Sequence, residues 1–188
     1  LCRSKPSFDV TINNYQNIMP IMNNVTFYDL CTSTSIITFS GKDAGTFLQG
    51  QVTCDVLAIP QSCSTLGAMC NPKGRVISAF QLSKVDDNFL MLVPRSMCDI
   101  VIKHLSKFIF RSKVNIQDAS DQFITFGSAA NLPEELNQTL KPLLSIAIGH
   151  QEGLAVLIYP VEQLHTIQLS EFIQIETTLD DWELLITA

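Results

Sequence analysis

Between Thr65 and Val93 the chain carries three short apolar runs separated by two strong turn signals. Thr65–Cys70 is followed by Asn71-Pro-Lys-Gly74, Arg75–Lys84 by Asp86-Asp-Asn88, and Phe89–Val93 closes the series. Runs this short, joined by connections this tight, can pair only with their immediate neighbours, so an antiparallel meander is expected. Pro at the second position and Gly at the fourth suit a type I turn at 71–74. The middle strand carries Val76, Phe80 and Leu82 on one face and Ile77 and Ala79 on the other. Apolar residues on both faces predict a central strand covered on both sides.

The flanks supply the other layer. Ile36-Ile-Thr-Phe39 reads as a strand. Ser40 then starts a helix, with Asp43 three residues on in a capping-box-like arrangement. Ala44, Phe47 and Leu48 give that helix one apolar face, and Gly50 fits the left-handed position just past its end. Ser96 with Asp99 marks a second helix start, and Met97, Val101, Leu105 and Phe108 line one side. Lys113–Gln117 is a closing strand. The order β-α-β-β-β-α-β defines the class α+β, mainly antiparallel, with helices on one sheet face. A second unit begins near Gln122: a strand at Phe123–Gly127, a helix at Pro133–Leu144 and a hairpin at Ser145–Tyr159 around His150–Gly153. The expected organisation is an irregular arm over 1–24, a first α+β subdomain over 25–120 and a second over 121–188.

Composition removes several function classes. The chain has 188 residues, 46% of them hydrophobic, and a mean hydropathy of +0.23. Its apolar residues nevertheless fall in short runs, well below the roughly 20 needed to cross a bilayer. A net charge of −6 argues against sequence-independent nucleic-acid binding, and no basic amphipathic helix points to a membrane. Neither partner is expected. Lys103, Lys107, Arg111 and Lys113 read as a solvated helix face. The six cysteines show no C-x-x-C pair and no Cys/His spacing for zinc, so no metal site is assigned and a reducing compartment, the cytoplasm, is expected. Cys54 and Cys70 read as free thiols packed as small apolar groups. His104, His150 and His165 make no Ser/His/Asp arrangement, and no catalytic residue is named.

Two constellations could bind a ligand. Gln49, Gln51, Thr53 and Asp55 form a polar strip. If the segment is extended, the last three share one face and Val52, Cys54 and Val56 the other. Side-by-side amides and a carboxylate can bond the donor and acceptor edge of a flat heterocycle such as a pterin. The same pattern also suits an ordinary half-buried strand. Lys73 and Arg75, two cations on a rigid turn, could hold an acidic tail, or simply solvate a hairpin.

The run Gln49-Gly-Gln-Val-Thr-Cys-Asp55 and the pair Lys73-Gly74 resemble the N-terminal part of the YgfZ family, folate-binding proteins related to the T-protein (aminomethyltransferase) of the glycine cleavage system. The resemblance implies two subdomains of the T-protein/YgfZ type, tetrahydrofolate as cofactor, and support for the assembly or repair of iron–sulfur enzymes, including tRNA-modifying ones. Iron–sulfur proteins would then be partners. The strip and the turn (Gln49, Gln51, Thr53, Asp55, Lys73, Arg75) become the implied folate contacts. A folate-dependent aminomethyltransferase is the alternative. Against it, Ser78 and Ala79 stand where the T-protein pattern has paired acids, and a hydroxyl and a methyl cannot replace a carboxylate. The family's Lys-Gly-Cys-Tyr/Phe-x-Gly-Gln-Glu motif would follow a stretch like Trp182–Ala188. A truncated member acting as a binding or oligomerisation module, with weak folate affinity, is the third expectation.

Overall fold

A computed structural model describes residues 26–129, 142–148, 154–164 and 174–176. The expected N-terminal arm, the body of the helix expected at 133–144, His150, His165 and the stretch 182–188 lie outside these residues. The described strands are β1 (Thr26–Asp29), β2 (Thr34–Ser40), β3 (Ser64–Cys70), β4 (Val76–Val85), β5 (Asn88–Pro94), β6 (Asn115–Asp118), β7 (Phe123–Ser128), β8 (Leu144–Ala147), β9 (Ala155–Pro160) and β10 (Gln174–Glu176). The helices are α1 (Ala44–Gln49), α2 (Cys98–Ser106), led in by a 3-10 turn at Arg95–Met97, and α3 (Val161–Leu164). Backbone proximity divides the chain into Cys31–Phe123 and a second unit made of Leu1–Leu30 with Ile124–Ala188.

In the Cys31–Phe123 unit the strand order is β3-β4-β5-β2-β6. Every neighbouring pair is antiparallel. The registers Ile37↔Met91, Leu82↔Met91, Gly67↔Phe80 and Met69↔Ser78 place one row of side chains on a single face. That row is buried, and it meets Ala44, Phe47 and Leu48 of α1 and Cys98, Val101 and Leu105 of α2 in one apolar cluster. The unit is the two-layer α+β arrangement expected, helices on one sheet face. Each fully buried Leu or Ile here contributes about 1.5–3 kcal/mol relative to exposure.

Several local expectations are corrected. β4 lies inside the sheet, but its second face is not covered along its length: Ala79 is exposed, Ile77 half-buried, and Val76 is exposed at the strand start. Ser78 takes the inward place beside Phe80 and Leu82. The capping box at Ser40 does not form. Ser40 ends β2, Asp43 occupies the cap position without a side-chain cap bond, and its Oδ2 instead accepts from the Lys113 amide at 2.7 Å. A charged acceptor is satisfied by whichever backbone donor is nearest, and here that donor comes from a segment 70 residues on. Gly50 is right-handed (φ −84), not left-handed, because the chain continues turning, with Gln51 and Val52 amides bonding back to Leu48. Ser96 does not cap α2 either, since the 3-10 turn displaces the helix start to Cys98. Phe108 lies past the end of α2 and is part-exposed.

The second unit holds β10-β1-β7-β9-β8. β1 runs antiparallel to β7 and parallel to β10, and β8 pairs with β9 as an antiparallel hairpin in the register Leu144↔Ile158 to Ala147↔Ala155. Leu144 therefore opens a strand rather than ending a helix. Val156, Leu157, Ile158 and Tyr159 are buried in succession, so both faces of β9 are covered. Phe126 meets Phe27 and Tyr159 edge to face at 6.1 and 6.3 Å. The Tyr159 hydroxyl is buried with no hydrogen-bond partner among the described residues, and burial pushes its pKa up.

Candidate functional site

The polar strip begins at the last turn of α1, where Phe47 and Leu48 are held in the core and Gln49 is carried to the rim. Residues 51–56 are a series of turns and bends rather than a strand, which corrects the extended form considered for them. Two side chains cause this. The Gln49 Oε1 accepts from the amides of Val56 (2.6 Å) and Leu57 (3.2 Å), drawing the chain back on itself. Thr53 bonds Ala68 twice: its amide donates to the Ala68 carbonyl at 3.0 Å, and its Oγ1 accepts from the Ala68 amide at 2.9 Å. One residue thus imitates a strand partner and occupies the free edge of β3, an edge strand whose unpaired groups would otherwise face solvent.

Alternation survives in burial. Val56 is buried and Val52 and Cys54 pack against the core, whereas Thr53 and Asp55 are exposed and Gln51 is half-buried. The close seat of this loop depends on Gly67. A Cβ there would lie 2.6 Å from the Phe80 ring and 2.8 Å from the Cys54 Sγ. Burial raises the Cys54 pKa and outweighs a lowering backbone hydrogen bond, with a smaller upward push from the neighbouring Asp55. Cys54 is a protonated packing thiol.

The second constellation is equally well braced. The Gly74 amide donates to the Asn71 carbonyl (2.9 Å), and the Asn71 amide to the Arg75 carbonyl (2.8 Å). The Asn71 Oδ1 accepts from the amides of Lys73 and Arg75. Gly74 sits at φ +75 with open space around it, so backbone conformation and not packing demands glycine there. Asn71 is the residue that sequence reasoning passed over. Its signal was present, since an Asn opening a Pro-Gly turn commonly bonds the backbone two residues on.

The fold brings strip and turn to one end of β3. Thr53 lies beside Ala68 and Cys54 beside Gly67, so the loop runs antiparallel to β3 and Gln51 precedes Thr53 on the side of the turn. Asn71 is three residues beyond Ala68, about 10 Å along a strand. Among the described residues the acceptor oxygens of Gln49 and Thr53 are engaged by backbone amides, while Gln51, Asp55, Lys73 and Arg75 carry no side-chain bond. A carboxylate, a free amide and two cations are the groups that a folate's pterin edge and glutamate carboxylates require, so the donor set fits that ligand in kind.

Ser78, which the resemblance sets in the place of a T-protein acid, is buried and donates its hydroxyl to the Ala79 carbonyl at 3.0 Å. His104 stands on α2 against Phe108, ring centroids 5.3 Å apart. Elsewhere in the unit a polar knot escaped the sequence reading. The Asp118 carboxylate accepts from the Ser120 amide and hydroxyl, while the Ile36 amide donates to the Ser120 Oγ. Burial would raise the Asp118 pKa, but the Ser120 bonds, the Cys98 thiol and the Arg95 charge together hold it below the usual carboxylate range. Burial, and then Asp118, push the Cys98 thiol up to about 11. Among the described residues no group of three His, Cys, Asp or Glu is arranged to hold a metal.

Comparison with known proteins gives this geometry a family. Residues 8–129 match the GCVT N-terminal domain. Curated relatives include the tRNA-modifying protein YgfZ of Vibrio atlanticus, 40% identical over 52% of this chain and 30% of that protein. The YgfZ of Vibrio vulnificus is 29% identical over 76% of this chain and 44% of that protein. The chain thus spans less than half the length of these relatives. A solved aminomethyltransferase T of the glycine cleavage system from Bartonella henselae superposes with a TM-score of 0.61 over 86% of this chain and 50% of that one, at 10% identity, which shows a shared fold. Among the described residues no helix is long and apolar enough to cross a membrane.

Proposed function

The chain belongs to the GCVT N-terminal domain family, with YgfZ proteins as its curated relatives, and from that premise we propose that it serves as a tetrahydrofolate-binding accessory protein. Its role is to support the assembly or repair of iron–sulfur enzymes, tRNA-modifying ones among them, in the cytoplasm. The observation that carries this reading is the family match over 8–129 joined to relatives named for tRNA modification.

Each residue has its own part. Asp55 accepts from the amino and ring N–H groups of the pterin, and Gln51 donates to its carbonyl. Lys73 and Arg75 hold glutamate carboxylates, Arg75 in a bidentate fork. Gln49 and Thr53 act one step back, by holding the loop that presents Gln51 and Asp55. Tetrahydrofolate supplies a reduced pterin able to carry one-carbon units. Aminomethyl transfer is not part of the proposal, because the buried Ser78 hydroxyl is already bonded within the strand and offers no carboxylate.

Calorimetric titration of tetrahydrofolate into the full-length protein and into Gln51→Ala, Asp55→Ala and Lys73→Ala variants tests the reading. A loss of about tenfold or more in affinity for Asp55→Ala, with an unchanged melting temperature, is expected from removing a charge-assisted hydrogen bond. Unaltered affinity in all three variants would remove the strip and turn from the pocket. No heat with the unmodified protein would end the folate reading itself.

A further inference from the structure

The chain's overall acidity conceals a local inversion. From Ile100 to Gln117 no Asp or Glu occurs, while Lys103, His104, Lys107, Arg111 and Lys113 do. On α2 the residues Cys98, Val101 and Leu105 face the core. Ile100, Lys103, His104 and Lys107, three and four residues apart, share the opposite side, and Phe108 follows against His104. Beyond the helix Phe110 is 85% exposed, with Arg111 exposed beside it. The segment is then pinned where the Lys113 amide donates to the Asp43 Oδ2 and the Asp43 amide to the Lys113 carbonyl, which brings the exposed Lys42 next to Lys113. The nearest acid, Asp43, has one oxygen occupied by that bond. Asp99, one helical turn before Lys103, and Asp118, at the end of β6 and held by Ser120 and Cys98, are the other carboxylates nearby. Among the described residues no ion pair engages any of these five cations.

A protein interface would need a contiguous apolar centre, whereas here the exposed apolar side chains, Ile100, Phe108 and Phe110, are interspersed along the chain with Lys103, Lys107 and Arg111. That interleaving suits a phosphate backbone with an unstacked base on each exposed ring. We propose that the α2–β6 surface, Lys103, Lys107, Phe110 and Arg111 with Lys42 and Lys113 behind them, docks an unpaired segment of RNA. Phosphates pair with the cations and a base stacks on Phe110. The choice of RNA rests on the tRNA-linked role proposed above. The surface does not rest on folate binding: α2 lies over β2 and β6, whereas the strip and turn lie at β3, the opposite edge of the sheet and about 19 Å away at the usual strand spacing. The chain's net acidity restricts such binding to this one face.

Fluorescence anisotropy of a labelled oligouridylate of about 12 nucleotides against the full-length protein tests the assignment, at about 50 and 200 mM salt. Phe110→Ala should weaken binding roughly tenfold while Phe110→Tyr retains it. Replacing Lys107 and Arg111 together by Ala should flatten the logarithmic salt slope by about 1.4, or roughly 0.7 for each phosphate left unpaired. All three positions are exposed, and circular dichroism checks that folding is intact. No binding at the lower salt, or binding indifferent to these substitutions, overturns the proposal. Equal competition by a polyglutamate peptide also overturns it, in favour of an acidic protein partner. Tetrahydrofolate titrations of the same variants should be unchanged, and a parallel loss there would overturn the claim of a separate surface.

Discussion

The two edges of the five-stranded sheet are closed by similar means and left with opposite chemistry. At β3 an irregular loop is tied down by Gln49 and Thr53, whose side-chain oxygens accept backbone amides. Beside β6 the segment ending at Lys113 is tied down by Asp43, whose carboxylate also accepts a backbone amide. In each case a glycine makes room: Gly67 for Cys54 and Phe80, and Gly41 for the Lys113 carbonyl. The first edge consumes polar side chains in shaping the loop and leaves a sparse mixed set, Gln51, Asp55, Lys73 and Arg75. The second leaves a dense and mainly cationic one, with Asp99 and Asp118 beside it. A polar residue's exposure to a ligand is therefore decided by whether a backbone donor reaches it first.

Breaking the β6 side should have the larger effect. Gly41 combines φ +108 with a backbone atom in the path of any Cβ, so Gly41→Ala should cost about 3 kcal/mol or more in unfolding free energy. A melting temperature within a degree or so of the parent would show that the 41–43 turn and Lys113 are not rigidly seated. At β3 the obstruction is a ring and a thiol, groups that can shift. Gly67→Ala should therefore cost less, about 1–3 kcal/mol by denaturant titration, and should raise the accessibility of Cys54 to a thiol reagent.

Gln49→Ala releases the Val56 and Leu57 amides and should cost about 1 kcal/mol. Faster hydrogen exchange confined to residues 50–57 would mark it as a loop-holder, whereas lost folate affinity with unchanged exchange would make it a direct ligand contact instead. The smallest effects are those of pH on the Cys98–Asp118 knot. Asp118 has a depressed folded pKa, so its contribution is present above the ordinary carboxylate pKa and fades as pH falls through the folded value. Cys98 has a raised one, so its contribution is complete below about pH 9 and is lost as pH rises toward about 11. Unfolding titrations at acid and alkaline pH should become flatter in Asp118→Asn and Cys98→Ala respectively.

Much of the first unit was legible because its signals are local. The turns Asn71–Gly74 and Asp86–Asn88 fix a meander whose pairing follows from proximity alone, and the spacing of Ala44, Phe47 and Leu48 and of Val101 and Leu105 fixes the helix faces. The helix starts were misread for a related reason. Ser40 and Ser96 match a capping pattern, but a strand end and a 3-10 turn occupied those positions. β1 carried no signal that its partners would be β7 and β10, from the far end of the chain.

From its sequence alone the protein settled its class, the order of elements in its first unit and the residue types available to a ligand, since all three depend on periodicity, turn chemistry and composition within a few residues. Tertiary structure alone decided which of those polar groups remained free. Asp43 was claimed by Lys113, Thr53 by Ala68 and Asp118 by Ser120 and Cys98. The first of these reaches across 70 residues and the second across 15, because a hydrogen-bonding group is satisfied by whatever donor folding brings within 3 Å or so, however distant along the chain.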